Sequence, residues 1–162
     1  MILVVADAGP IRYLVVTGFV DVLPRLFDRI VIPEYVIRTE LRDTKTPREV
    51  QAWASAAPAW VEVRAPAQRE EMGLHRGESD AIALAMELKA FAVLLDDADA
   101  REVAARKGLA ATGTIGILEK AAERGLLNLA EAFHRLSSTN FRIAPELLQE
   151  ALNRDAERTG RQ

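Results

Sequence analysis

Apolar residues along this chain fall into two rhythms that alternate from one end to the other. Ile2–Ala6 is a short unbroken apolar run, the pattern of a strand covered on both faces. Arg29–Ile32, Val61–Val63, Phe91–Leu95 and Leu109–Thr112 read as further strands. Between them apolar residues recur at helical spacing. Pro10 suits a first helical turn, with Ile11, Leu14 and Val15 forming the apolar face behind it. Phe19–Phe27 turns Val22, Leu23 and Leu26 inward, and Pro33 opens a helix carrying Tyr35, Val36, Ile37, Glu40 and Leu41. The same spacing predicts helices over Arg48–Ala57, Gln68–Leu74, Glu78–Lys89, Ala98–Lys107, Thr114–Arg124, Leu129–Ser137 and Pro145–Arg158. Thr44–Pro47 is a polar break suited to an exposed loop, and Gly108 stops the helix that ends at Lys107.

Strands alternating with helices imply an α/β fold around a central, mostly parallel sheet. No repeat, low-complexity segment or linker divides the chain. The expectation is one domain over residues 1–152, with residues 153–162 as the end of the last helix and a tail frayed from Thr159.

Composition narrows the class. The 162 residues are 49% apolar and 28% charged, a globular balance. No apolar run approaches the roughly 20 residues a membrane span needs. ILVVA directly after Met1 reads as a buried strand rather than a signal peptide. The absence of cysteine removes disulfides, thiolate zinc sites and cysteine nucleophiles, and fits a cytoplasmic protein. A net charge of −3 argues against gripping nucleic acid by bulk charge. It leaves room for a local basic rim, since 17 of the 21 basic residues are arginine, the side chain best shaped for phosphate. Trp53 and Trp60 read as packing residues rather than a base-stacking platform.

The unusual stretch is Gly77–Ala100, where Glu78, Asp80, Asp96, Asp97 and Asp99 bracket an apolar helix-like run and an apolar strand-like run. Like charges repel, and buried ones must be paired or neutralised. Asp7 follows the first strand as Asp96 and Asp97 follow Phe91–Leu95. In an open parallel sheet such residues emerge at the same, ligand-binding edge. Glu40 shares a helical face with Val36 and Ile37, which turns it toward the protein; taken alone, a solvated face reads equally well. Each acid has a plainer reading: Glu34 and Asp99 as first-turn dipole partners, Asp97 as a helix cap, Glu78 and Asp80 as either. Periodicity does not choose between Glu78 and Asp80. Together, four or five carboxylates with only His75 and His134 in the chain make an oxygen-ligand set suited to Mg²⁺ or Mn²⁺ rather than zinc.

At these residues the chain resembles the PIN-domain family, the metal-dependent nucleases that include the VapC toxins of toxin–antitoxin pairs. It is most similar to the branch of PIN-like proteins predicted to bind nucleic acid. The likeness runs from Ile2 to Leu152. It rests on Asp7 with Pro10 soon after, IPEYVIRTEL at Ile32–Leu41, GESDAIALA at Gly77–Ala85, LLDDADAR at Leu94–Arg101, GTIGILEKA at Gly113–Ala121, and FRI at Phe141–Ile143. The resemblance implies a three-layer α/β/α fold with a twisted sheet. It implies Asp7, Glu40, Asp80 and Asp97 as the catalytic, metal-holding acids, with Glu78 and Asp99 as auxiliaries and Asp96 merely ending its strand. Thr112 and Thr114 follow the last strand, placed either to orient water or phosphate or to cap the next helix. One departure stands out: the family usually has Ser or Thr after the first Asp, and here Ala8 and Gly9 follow.

The resulting expectation is a Mg²⁺- or Mn²⁺-dependent endoribonuclease acting on single-stranded or loop RNA, as a homodimer and as the toxin partner of an antitoxin. The alternative is a non-catalytic PIN-like module that binds nucleic acid or protein. A receiver-like phosphoacceptor domain fits poorly, because Asp7 has no acidic neighbour and the last strand is followed by Gly113-Thr114 instead of lysine.

Overall fold

The computed structural model describes residues 1–160. Five strands form one sheet: β1 (Leu3–Ala6), β2 (Arg29–Pro33), β3 (Val61–Arg64), β4 (Ala92–Leu94) and β5 (Ala111–Thr112). Their order is β3-β2-β1-β4-β5 and every pairing is parallel, so the α/β reading holds and the sheet is wholly rather than mostly parallel. Ten-residue α1 (Ala8–Thr17) follows β1; a 3₁₀ turn (Val20–Val22) and α2 (Leu23–Leu26) lead to β2. A π-helical turn (Val36–Glu40) and α3 (Arg48–Ser55) lead to β3; α4 (Arg76–Glu87) precedes β4 and α5 (Ala98–Arg106) precedes β5. The chain finishes with α6 (Thr114–Glu123), α7 (Leu129–Ser137) and α8 (Pro145–Thr159).

The chain divides into two compact units, residues 1–114 and a second beginning at Ile115. In the first, the apolar strands explain themselves. Leu3 and Val5 of β1 pack with Val31, Val93 and the α4–α5 residues Ala81, Ile82, Leu84, Ala85, Ala100 and Ala104. Val4 and Ala6, pointing to the other face by the two-residue period of a strand, are fully buried as well. A strand hidden on both faces must be apolar throughout, which is why β1 carries no alternation. In the second unit, Asn128 caps α7 by accepting the Glu131 N–H at 2.9 Å, and α7 packs on α8. Leu129, Ala132, Phe133 and Leu136 give α7 its buried stripe.

Three expectations change. Gln68–Leu74 is not a helix: it is an irregular, mostly exposed segment. So short a stretch does not offset the cost of helix nucleation. Instead the Ala67 N–H donates to Glu87 Oε1 at 2.7 Å, Met72 and Leu74 lean on the core, and Gly73 turns the chain at φ +72°. Pro33 ends β2 instead of opening a helix. The helix after it is wound as a π turn, closed by the Leu41 N–H on the Val36 carbonyl. Thr159 is still helical, with Gly160 as the left-handed cap; residues 161–162 lie outside the described residues. Trp53 and Trp60 meet at 6.0 Å between ring centroids, as packing residues. Among the described residues no helix is long and apolar enough to cross a membrane.

Candidate metal centre

In the strand order, chain direction reverses its walk across the sheet between β1 and β4: β2 and β3 lie to one side, β4 and β5 to the other. The crevice at the carboxyl ends of such a pair is where parallel sheets bind ligands. Ala6 pairs with Leu94, and the Asp7 N–H donates to the Leu94 carbonyl at 3.0 Å. Asp7 and Asp96 therefore leave the sheet side by side.

Asp7 is the first residue at this crevice. It is 7% exposed, and among the described residues its Oδ1 is a buried oxygen with no hydrogen-bond partner. Burial pushes its carboxyl up to about 8, and the nearby acids Glu40, Glu78 and Asp96 push the same way, against a hydrogen bond from the Ala8 N–H. Glu40 arrives at the end of the π turn. Its carboxyl is raised by burial and then by Glu78, while His75 and the Gly77 N–H draw it down. Glu78 is raised by burial foremost, with Asp97 and Asp99 adding to it. It also accepts the His75 N–H at 3.2 Å, the expected capping contact at the start of α4. Asp96 is raised by burial against two bonds from Thr114, whose N–H and hydroxyl each donate at 2.7 Å.

Gly77 makes the approach possible. A Cβ at this position would stand 1.9 Å from Glu40 Oε1 and 3.0 Å from Asp7 Oδ1. With no side chain there, the first turn of α4 closes on both carboxylates and turns the Gly77 N–H toward Glu40. Gly9 and Gly113 do the same for Asp96, where a Cβ would come within 3.1 Å and 2.7 Å of its oxygens. So Gly9, where a hydroxyl residue was expected nearby, has a packing reason of its own.

The structure thus gathers Asp7, Glu40, Glu78 and Asp96. Asp96 does more than end its strand; the signal that could have found it is its place after β4, matching that of Asp7 after β1. Asp97 caps α5 through the Ala100 N–H at 2.9 Å and is exposed, as is Asp99 in the first turn. Both lie close enough to act on Glu78. Asp80 faces elsewhere. Its side chain is 3% exposed and lies 3.3 Å from Arg69 Nε and 3.6 Å from Arg76 Nε, although its charge still reaches Glu40. Thr114 serves Asp96, a role between the two expected of it.

The donor set fits a hard divalent cation. Every donor is a carboxylate oxygen, one buried oxygen lacks a partner, and the glycine cradle leaves room where a Cβ would stand. Among the described residues no three acidic or imidazole groups already converge on one ion-sized point. Glu40 and Glu78 have the rotatable bonds to close the set.

A parallel α/β sheet with a carboxylate cluster at its switch point defines the class. The DUF3368 family model, described as a PIN domain, matches residues 3–157, and the chain belongs to this PIN-domain family, whose members are typically nucleases. Among solved structures it is similar to a PilT N-terminus domain protein from the hyperthermophilic archaeon Sulfolobus solfataricus P2. That likeness has a TM-score of 0.50 and 19% identity, and covers 75% of this chain and 93% of the other. At that identity it speaks for the fold. No curated protein matches the chain.

Proposed function

We propose that this chain is a metal-dependent endoribonuclease. The observation that carries the reading is the unpartnered Asp7 Oδ1, buried among Glu40, Glu78 and Asp96 and pressed against the glycine at the start of α4. A carboxylate in that position stays protonated or meets a cation. Asp7, Glu40, Glu78 and Asp96 would hold Mg²⁺ or Mn²⁺, with Asp97 and Asp99 as outer acids acting through Glu78. When bound, such an ion lowers the pKa of a coordinated water and offsets charge on the phosphate.

The chain's own residues prepare the rest. The Gly77 N–H draws Glu40 toward its ionised form, and Thr114 fixes both oxygens of Asp96, so that these two acids are held in place before substrate arrives. Without a cation the cluster repels a phosphodiester, so bound metal strengthens a hold on the strand that groups outside the cluster begin. A single-stranded or looped RNA suits the crevice, because its backbone can be splayed into it. As a VapC-like toxin the protein would work as a homodimer in the cytoplasm and be silenced by a cognate antitoxin covering the crevice. The test is cleavage of labelled RNA and DNA with Mg²⁺, Mn²⁺ or EDTA. Asp7→Asn and Asp96→Asn abolish a metal-dependent RNA cleavage if the reading is right. Cleavage that persists in EDTA or in Asp7→Asn sinks it.

A second reading, a non-catalytic nucleic-acid- or protein-binding PIN-like module, draws on Ala8 and Gly9, which supply no hydroxyl beside Asp7. Metal-independent RNA binding without cleavage is its signature.

A further inference from the structure

Beside the acidic crevice lies a cavity of about 470 Å³, lined by Glu34, Tyr35, Arg38, Arg69, Arg76 and Asp80 among others. Three guanidiniums face two carboxylates there, so the cavity is net cationic, the reverse of the crevice. The arginines are arranged rather than scattered. Asp80, almost wholly buried, is within salt-bridge reach of both Arg69 and Arg76. Arg76 also lies over the Tyr35 ring, 4.3 Å from its centroid. Arg38 is held by Glu34 one helical turn back. About half of the Arg69 and Arg76 side-chain surface stays open to solvent, so their remaining N–H donors are free to meet a ligand. The cavity also shares chain with the crevice: Thr39, on its rim, precedes Glu40, and Arg76 precedes Gly77.

We infer that this cavity is an RNA phosphate subsite, holding the backbone of a nucleotide next to the one at the acidic crevice. Its chemistry fits: a fork of guanidiniums for phosphate oxygens, a threonine at the rim, and an aromatic ring that stiffens one arginine. Asp80 is then a positioning residue. It keeps two like charges together and aims them, which explains a buried carboxylate that stands apart from Asp7, Glu40, Glu78 and Asp96. A strand entering the site would have its phosphate drawn to this cationic cavity while the neighbouring phosphate meets the acids.

The subsite rests on the nuclease reading for its substrate, and its test is binding, read apart from cleavage. A short labelled single-stranded RNA is titrated in EDTA across a salt series, with thermal unfolding confirming that each variant is folded. Arg69→Ala and Arg76→Ala each weaken binding about five-fold or more, and flatten the slope of log affinity against log salt by about 0.7 for each phosphate no longer neutralised. Arg25→Ala, on α2 away from the cavity, changes neither by more than its bulk charge. Arg76→Lys keeps the charge but not the fork, and falls between wild type and Arg76→Ala. Asp80→Asn, if folded, weakens binding while leaving the slope nearer to wild type, since every guanidinium that meets a phosphate is retained. Binding by Arg69→Ala and Arg76→Ala at the level of Arg25→Ala overturns the subsite, as does the absence of RNA binding by the wild type. Metal-dependent, Asp7-sensitive cleavage with unaltered arginine variants would refute the subsite alone. Weakened binding in those variants with no metal-dependent cleavage would refute the nuclease reading alone.

Discussion

Asp7 and Asp80 are both aspartates buried in the same unit, and they solve the same problem in opposite ways. Asp80 is flanked by two arginines, so its charge is met inside the protein. Asp7 has other carboxylates for neighbours and an oxygen with no donor, so its charge is opposed, and its carboxyl is pushed up to about 8. A fold that only needed stability would replace Asp7 by an apolar residue, because an uncompensated buried charge destabilises the folded state. The difference marks Asp80 as part of the scaffold of the cationic cavity and Asp7 as a group waiting for something from outside the chain.

The sharpest way to break this contrast is Gly77→Ala. The added methyl meets Glu40 Oε1 at 1.9 Å, and Glu40 is the member free to swing away. The protein should fold, with a stability loss of about 1–2 kcal/mol, yet lose divalent-cation binding and nearly all cleavage. Isothermal titration with Mn²⁺ and the RNA assay check this; full activity in a folded variant would show that Glu40 and α4 need not touch.

Asp7→Asn comes next. The folded carboxyl titrates at about 8 and the unfolded one near 3.8, so across this window the folded state binds the extra proton. Stability from Asp7 is intact below about pH 4 and is lost progressively as pH rises through 8. At pH 8 in EDTA, Asp7→Asn should therefore be more stable than wild type by up to about 5 kcal/mol, and about equal to it near pH 4. Urea unfolding at several pH values reads this directly. A divalent cation should close the gap by stabilising the wild type alone.

Asp80→Asn inverts the sign. It leaves two guanidiniums facing each other, and since both are half exposed the cost is about 1–2 kcal/mol at pH 7, without any gain in EDTA. A variant as stable as wild type would mean that the arginines do not depend on Asp80. The smallest effect is expected of Thr114→Val, which deletes one of the two bonds to Asp96 and should cost about 1 kcal/mol. It should also raise the Asp96 carboxyl further, seen as cleavage that needs a higher pH for the same rate.

Much of this was legible in the chain. The five strands were read close to their observed ends, the central β1, β2 and β4 because burial on both faces leaves nearly unbroken apolar runs. The helices α5, α7 and α8 announced themselves by periodic apolar positions, α5 also by Asp97 and Gly108 at its ends. Gln68–Leu74 misled because its apolar residues, Met72 and Leu74, reach the core from an irregular segment, and pattern cannot tell a helical face from a loop that dips inward. The π turn was invisible for a related reason: one extra residue per turn leaves Val36, Ile37 and Leu41 buried much as an α-helix would.

Asp7 after the first strand, Glu40 on its helix and the acidic excess of Gly77–Ala100 were legible in the sequence itself, since so many carboxylates beside apolar runs exceed what caps and helix dipoles require. Which of those acids meet was decided in three dimensions. Glu78 and Asp80 are two residues apart, so the helix sends them to different neighbours. Only the close passage of Gly77 over Glu40 and Asp7 turned Glu78 toward the crevice and Asp80 toward Arg69 and Arg76. Likewise the parallel pairing of β1 with β4, which joins strands far apart along the first unit, set Asp96 beside Asp7. Residue type fixes what a side chain can do; long-range packing fixes what it does it to.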